Sequence, residues 1–537
     1  MCNARSTSLV RNLAFAAVAL AGSAATGEEH ERGPVVRTSD GPVHGISSGG
    51  VDRFLGIPYA APPVGDLRWR PPQPHGRWRA LRDATAFANH CPQVASPFGL
   101  PSVTEDCLYL NVFRPARGGG DDGEDDEAGD EGRERRRPVM VWIHGGALLV
   151  GESDDYDPAR LVQHGVVVVT INYRLGVFGF LAHPALTAES PEHASGNYGL
   201  MDQQAALRWV RRNIASFGGD PRRVTIFGES AGGLSVHSHL ASSLSEGLFH
   251  RAIVQSGAYS LAQPSLALAE AQGQAAAERA GCIDQTAACL RATPVEALLA
   301  ALLSSTVVPD VDGWVLTQTI GESFASGQFN RVPVIEGSNH DEWRLFVALS
   351  FDLVTGPLTP EQYIDAIAAT LGVPRSTAKF LASFYPLANY PSPDLALSAL
   401  GTDAIFACNS RKAVRLLSQQ VTTYAYEFGD EDAPQLFLPP VSFPYGSAHA
   451  SELQYLFGLS STVMAPELTE DQRQLSEAMT SYWTSFARTG SPNGFDEPFW
   501  SPYDSASDAM QSLVPPVPAV ETGFAADHQC SFWAPTP

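Results

Sequence analysis

Gly228, Ser230 and Gly232 spell Gly-x-Ser-x-Gly, the spacing of a tight strand-turn-helix elbow that lifts a serine hydroxyl above a parallel sheet. The run Val224-Thr225-Ile226-Phe227 before it is β-branched and aromatic, as a short buried strand would be. An apolar stretch from Leu234 to Leu240 follows it. The glycines have a physical reason. In so tight a turn a side chain two residues either side of the serine would strike neighbouring backbone, while the serine itself must hold strained dihedrals. Alone, the five residues also fit a glycine-rich turn with a solvated serine, so a nucleophile needs partners elsewhere in the chain.

A serine hydroxyl attacks well only when a neighbouring base takes its proton, and histidine titrates near the working pH. Of fourteen histidines, His449 is best placed, in Tyr445-Gly446-Ser447-Ala448-His449 beyond the last sheet strands expected. The base needs a carboxylate to hold its tautomer, and the expected chain order is serine, acid, histidine. Asp310, Asp312, Glu336, Asp341 and Glu342 all lie between Ser230 and His449, and the residues alone leave the choice among these five open. Asp341 and Glu342 do follow the strand-like Val332 to Glu336 through Gly337-Ser338-Asn339-His340, where a loop delivers side chains to a sheet edge. The oxyanion of an acyl-transfer intermediate needs preorganised N–H donors. Ala231, after the serine, can give one, and Gly145-Gly146-Ala147, after a strand ending at Ile143, can give the others. His144 reads as scaffolding for that loop.

Alternating strands and helices must carry these residues. Val139–Ile143 and Val166–Ile171 are unbroken apolar runs, as expected for strands covered on both faces. Leu200, Ala205, Leu207, Trp209, Val210 and Ile214 give residues 199–217 helical spacing. Further strands are expected over 252–257, 332–337 and 422–428, a hairpin over 35–46, and a proline-fixed loop over 54–63. The pattern predicts an open α/β sheet, with helical insertions at about 262–330 and 360–420.

Composition narrows the class. With 44% hydrophobic and 17% charged residues over 537 positions, the chain has ordinary globular composition. A net charge of −23 argues against nucleic-acid binding through phosphates. Arg5 and Arg11 precede an apolar run from Leu13 to Ala21 and then Gly22-Ser23-Ala24-Ala25, which predicts a secretory signal over 1–25 with cleavage near Ala24 or Ala25. That run is shorter than the roughly 20 residues of a membrane span, so no stable membrane insertion is expected. Residues 117–137 hold one alanine among glycines and charges, which predicts a disordered surface insert. Cys91, Cys107, Cys282, Cys289, Cys408 and Cys530 remain after the signal. None has zinc-like C-x-x-C spacing, so no metal and no cofactor are expected.

Longer blocks carry a resemblance. Gly56-Ile57-Pro58-Tyr59-Ala60, Glu105-Asp106-Cys107-Leu108-Tyr109-Leu110-Asn111-Val112, Asn172-Tyr173-Arg174-Leu175-Gly176, Gly199-Leu200-Met201-Asp202-Gln203, Phe217-Gly218-Gly219-Asp220-Pro221 and Phe227-Gly228-Glu229-Ser230-Ala231-Gly232-Gly233 stand in order along the chain. It resembles a type B carboxylesterase, in the cholinesterase-like branch of the α/β-hydrolases, over nearly all its length after the signal. The resemblance implies one α/β-hydrolase domain over 26–537, a mostly parallel central sheet and a helical cap over the site. It implies Ser230 as nucleophile, Glu342 as acid and His449 as base, with bridges Cys91–Cys107, Cys282–Cys289 and Cys408–Cys530. It also implies a small-molecule ester as substrate. Oligomeric state is not legible. Three departures stand out. Trp343 follows Glu342 where the family usually has glycine, Ala147 replaces a third glycine, and no tryptophan lies between Cys91 and Cys107 to hold a choline cation. Two rival readings are an interfacial lipase or an esterase for bulky natural-product esters, and a non-catalytic adhesion protein; the filled serine, acid and histidine positions speak against the last.

Overall fold

The apolar runs become the middle of an eleven-stranded sheet. The computed structural model describes residues 33–116, 136–301, 307–459, 466–494 and 497–534; the segment 1–25 and nearly all of the charged insert 117–137 lie outside them. The sheet strands are β1 (Ile46–Ser48), β2 (Val51–Pro58), β3 (Tyr109–Pro115), β4 (Arg137–Ile143), β5 (Val167–Ile171), β6 (Gly219–Glu229), β7 (Arg251–Gln255), β8 (Val334–Asn339), β9 (Thr423–Phe428), β10 (Met510–Leu513) and β11 (Ala519–Glu521). Their spatial order is β11-β10-β9-β8-β7-β6-β4-β5-β3-β2-β1. From β5 to β10 every pairing is parallel, and antiparallel strands close both edges. This is the α/β-hydrolase architecture.

Side-chain alternation explains why β4 and β5 read as continuous apolar runs. Val139, Val141 and Ile143 enter the hydrophobic layer on one face of the sheet, and Met140 and Trp142 enter the layer on the other. Val167 and Val169 divide from Val166 and Val168 in the same way. With helices on both faces, neither side of these strands meets water.

Six helices matter for the site: α1 (Tyr198–Asn213), α2 (Ala231–Ala241), α3 (Trp343–Val347), α4 (Pro393–Gly401), α5 (Cys408–Ser418) and α6 (Glu470–Thr489). Helix α1 buries Leu200, Leu207, Trp209 and Val210 against the sheet and passes through a short 3₁₀ turn, Ile214–Phe217, to Gly218 at φ 84°. At its start Asp202 accepts three hydrogen bonds from Arg174, two from the guanidinium at 2.7 and 2.8 Å and one from the backbone N–H at 3.1 Å. Both residues are buried, so the block Asn172–Gly176 and the block Gly199–Gln203 are joined by one paired charge.

The helical segments expected at about 262–330 and 360–420 contain Leu266–Arg279, Ala287–Ala292, Val295–Ala301, Ile320–Ser326, Tyr363–Leu371, Arg375–Ala382 and α4. Helix α5 instead returns to the sheet, where Ala413 and Leu417 join its core and Ser410 reaches Glu336 of β8. The hairpin pairs Val35–Arg37 with Pro42–His44.

The loop expected over 54–63 is a correction, because Phe54 to Pro58 is strand. Proline stands only at the strand's end, where it is tolerated. Gly56, at φ 66°, opens a bulge that shifts the register between Phe54 and Ile57, and its N–H is taken by the Asn111 side chain at 2.9 Å. The three cysteine pairs are joined as Cys91–Cys107, Cys282–Cys289 and Cys408–Cys530. Among the described residues no helix is long and apolar enough to cross a membrane.

Candidate active site

Parallel register brings the strand ends together. Ile143 of β4 stands opposite Gly228 of β6, and Gln255 of β7 stands opposite both Glu229 of β6 and Gly337 of β8. The residues that follow, His144 to Ala147, Ser230 and His340 to Glu342, therefore leave the sheet along one edge, the carboxyl edge where open α/β sheets hold ligands.

Ser230 sits between β6 and α2 at φ 55° and ψ −120°, strained backbone for a residue with a side chain. Its N–H donates to Gln255 O at 2.8 Å. A Cβ on Gly232 would stand 1.9 Å from the carbonyl oxygen of Ile143, and one on Gly228 would stand 2.6 Å from it. The two glycines are thus required by the close passage of β4, as the motif predicts. Ala231 is the first residue of α2, so its N–H is among those with no partner inside the helix. On the other side, a Cβ on Gly145 would lie 3.2 Å from Ser230 Cβ. Gly146 and Ala147 turn at φ 94° and 57°, which bends their segment around the serine. His144 is the scaffold expected. Its ring stacks on Tyr173, whose hydroxyl donates to His144 O at 2.8 Å, and burial lowers its pKa to about 4.

His449 lies in the loop after β9, held against the end of β8. Asn339 Nδ2 donates to Ala448 O at 2.9 Å, and the Asp341 N–H donates to Ser447 O at 3.1 Å. Of the five candidate carboxylates, Glu342 is the one that meets this histidine, with Oε2 2.5 Å from His449 Nδ1. Its other oxygen accepts the Asn339 N–H at 2.8 Å. Asp310 and Asp312 belong to a loop bonded to Asn197 and to the backbone of 314–316. Glu336 pairs with His237 inside the core at 2.7 Å, and Asp341 pairs with Arg344 at 2.8 Å.

Sequence reasoning did not single out the other acids of the site. Glu229 Oε1 lies 3.0 Å from His449 Nε2, yet the two are not aligned to hydrogen-bond, so Nε2 is left without a hydrogen-bond partner. Glu452 accepts from Gln255 Nε2 at 3.0 Å and Asn339 Nδ2 at 2.8 Å, linking β7, β8 and the histidine loop. Burial raises the Glu229 carboxyl to about 8, against the pull of His449. Burial also works against a charged His449, but Glu229, Glu342 and then Glu452 outweigh it and raise the pKa to about 9. The only signal for Glu229 was its place beside the serine. Glu452, three residues past His449, had none.

An aromatic wall completes the surroundings. The Phe346 and Phe406 rings stand 5.1 and 4.9 Å from His449. Trp343, the residue in place of glycine, starts α3, stacks on Phe346 at 4.5 Å and lies across Gly401 at the end of α4. Its N–H is taken by Thr402 Oγ1 at 2.9 Å.

A strained serine on a strand-helix elbow, with a glycine loop beside it and a histidine-carboxylate pair in the next loops, defines a hydrolase of the α/β-hydrolase class. The model of the carboxylesterase family matches residues 32–533, and the chain belongs to that family. It is 35% identical to an acylcarnitine hydrolase of Mus musculus over 94% of this chain and 91% of the relative. It is equally 35% identical to a cocaine esterase of Homo sapiens, over 91% and 87%, and to a fumonisin B1 esterase of Sphingopyxis macrogoltabida, over 89% and 86%. The protein is a carboxylic ester hydrolase.

Proposed function

We propose that this protein is an exported serine carboxylesterase that works through an acyl-enzyme. Ser230 Oγ attacks the ester carbonyl carbon while His449 Nε2 takes its proton. The oxyanion is held by the N–H groups of Gly145, Gly146, Ala147 and Ala231. Collapse breaks the bond to the alcohol, which leaves with the proton from His449. Water then gives a proton to His449 and attacks the acyl carbon, releasing the carboxylic acid and restoring Ser230. Glu342 keeps Nδ1 protonated, so that Nε2 can accept.

The observation that carries this reading is the His449 ring: Nδ1 fixed on Glu342 at 2.5 Å, Nε2 unbonded at the serine's own strand end. The aromatic wall supports esters with an apolar, medium-to-bulky group beside His449, and the methyl of Ala147 narrows the room opposite. The three disulfides and the signal-like N-terminus support export.

Ser230→Ala tests the mechanism. Hydrolysis of p-nitrophenyl butyrate falls to background in a variant that melts like the wild type, and covalent labelling by an organophosphate disappears. Near wild-type turnover in that variant overturns the assignment. Activity that jumps above the solubility limit of a triglyceride would favour the lipase reading. N-terminal sequencing of the exported protein tests cleavage near Ala24 or Ala25.

A further inference from the structure

Outside the serine, His449 and Glu342 group, a second set of titratable side chains gathers where β8, β9 and the C-terminal segment meet. One ligand atom each from His340, Glu427 and His528 lies within 4.8 Å of the other two. We propose that these three side chains bind a divalent transition-metal cation of the zinc type, with Glu521 supplying the second negative charge.

The hydrogen bonds behind the two imidazoles carry the argument. His528 Nδ1 is held by Asp403 Oδ1 at 2.7 Å, and the other oxygen of Asp403 accepts the Tyr385 hydroxyl at 2.7 Å. That hydroxyl in turn accepts from Trp533 Nε1 at 2.6 Å. The chain fixes the ring and aims Nε2 at Glu427, 2.6 Å away. His340 repeats the pattern, with Nδ1 on Asp341 at 3.3 Å and Asp341 itself held by Arg344 and Ser447. A carboxylate behind the far nitrogen of each imidazole is the usual support of a metal-ligating histidine, because it sets the tautomer and strengthens the donor atom.

Charge points the same way. Glu521 on the edge strand β11 lies against Glu427, and its Oε1 is enclosed with no hydrogen-bond donor. Among the described residues Asp403 and Glu427 form ion pairs with His528 alone, and no arginine or lysine pairs with Asp403, Glu427 or Glu521. On binding, the cation takes the place of the proton by which His528 now bridges Asp403 and Glu427, and its two charges balance Glu427 and Glu521. Imidazole and carboxylate together suit zinc, cobalt and similar ions, whereas calcium and magnesium prefer oxygen alone. Ligands at about 2.0–2.2 Å from a tetrahedral zinc stand about 3.4 Å apart, so the His528 to Glu427 contact, now 2.6 Å, has to open by about 0.8 Å. The frame is firm: the Cys408–Cys530 bridge ties the segment of His528 to α5, and Cys408 Sγ lies 3.1 Å from His528 O. The His340 side chain is 42% exposed, which gives an ion a way in.

The test uses the full oxidised protein, stripped with a chelator and titrated with ZnCl2 by calorimetry and with CoCl2 by visible absorption. One equivalent binds, cobalt shows the d–d band of a four-coordinate site, and zinc raises Tm. His340→Gln and Glu521→Gln each weaken zinc binding tenfold or more. His75→Gln, at an exposed histidine elsewhere, leaves it unchanged. Asp403→Asn weakens binding by about 10–100-fold while keeping all three ligands, as loss of a supporting carboxylate does. Absence of a one-to-one zinc heat and cobalt band in the wild type overturns the proposal. So does binding that survives both His340→Gln and Glu521→Gln. Neither readout depends on ester hydrolysis.

Discussion

Glu342→Gln is the sharpest perturbation of the site, because the two oxygens of Glu342 have different partners. Oε1 accepts the Asn339 N–H at 2.8 Å, and Oε2 faces His449 Nδ1 at 2.5 Å. Asn339 N–H can only donate, so the glutamine keeps its carbonyl there and turns its NH2 toward His449. Nδ1 must then accept, and the ring proton moves to Nε2, the atom that takes the serine proton in the proposed mechanism. Glu342 is 0% and His449 5% exposed, so water does not substitute for the lost carboxylate. A wrong tautomer together with an unstabilised imidazolium costs about 10⁴ in kcat in a comparable triad. At about 1.36 kcal/mol per decade that is about 5.4 kcal/mol of transition-state stabilisation. The glutamine is of equal size, so the fold persists. The assay is p-nitrophenyl butyrate hydrolysis across pH, with thermal melts alongside. A kcat/KM within tenfold of wild type, at unchanged Tm, refutes the tautomer argument.

Glu229→Gln removes the carboxylate whose charge does most to raise His449. In the proposed mechanism His449 works only when neutral, so the acid limb of kcat/KM, near pH 9, moves to lower pH; an unmoved limb counts against a role for Glu229 in tuning His449. Gly232→Ala drives a methyl to within 1.9 Å of Ile143 O. Backbone must give way, so Tm falls by the equivalent of about 1–3 kcal/mol or more, and labelling of Ser230 drops with it. Asp202→Asn leaves the buried Arg174 without its counter-charge. It destabilises by about 3–5 kcal/mol in chemical denaturation, and a loss under 1 kcal/mol would mean that the pair is dispensable.

Much of the fold was legible because covered strands and amphipathic helices leave strong patterns. Val139–Ile143 and Val166–Ile171 read as strands since both faces had to be apolar, and α1 read as a helix from the spacing of Leu200, Leu207 and Val210. Phe54–Pro58 was misread because prolines nearby hid a strand that ends on Pro58 and bulges at Gly56. The edge strands β10 and β11 gave no comparable signal, whereas helix α6, left unread, carries one in its Thr469–Gln472 capping box and in the spacing of Leu475, Met479, Trp483 and Phe486. Edge strands are short and half-solvated, so their residues need not alternate.

By itself the sequence determined the elbow. The strand before it and the apolar stretch after it favour an elbow over a solvated glycine turn, and Gly228 and Gly232 leave room for the β4 backbone at Ile143. It also determined that a histidine and a carboxylate must follow. The residues alone left five carboxylates open and the resemblance implied Glu342; only the tertiary structure shows Glu342 against His449 and what else surrounds that ring. Asp341 leaves the same end of β8 but turns to Arg344, while Glu336 stays in the core with His237 and Asp310 and Asp312 lie in the loop tied to Asn197 and the 314–316 backbone. Glu229, Phe346 and Phe406 act on His449 from three separate segments, and Glu452 from its own loop. Local spacing carries no record of such distances, because they are fixed by the parallel register of strands far apart in the chain.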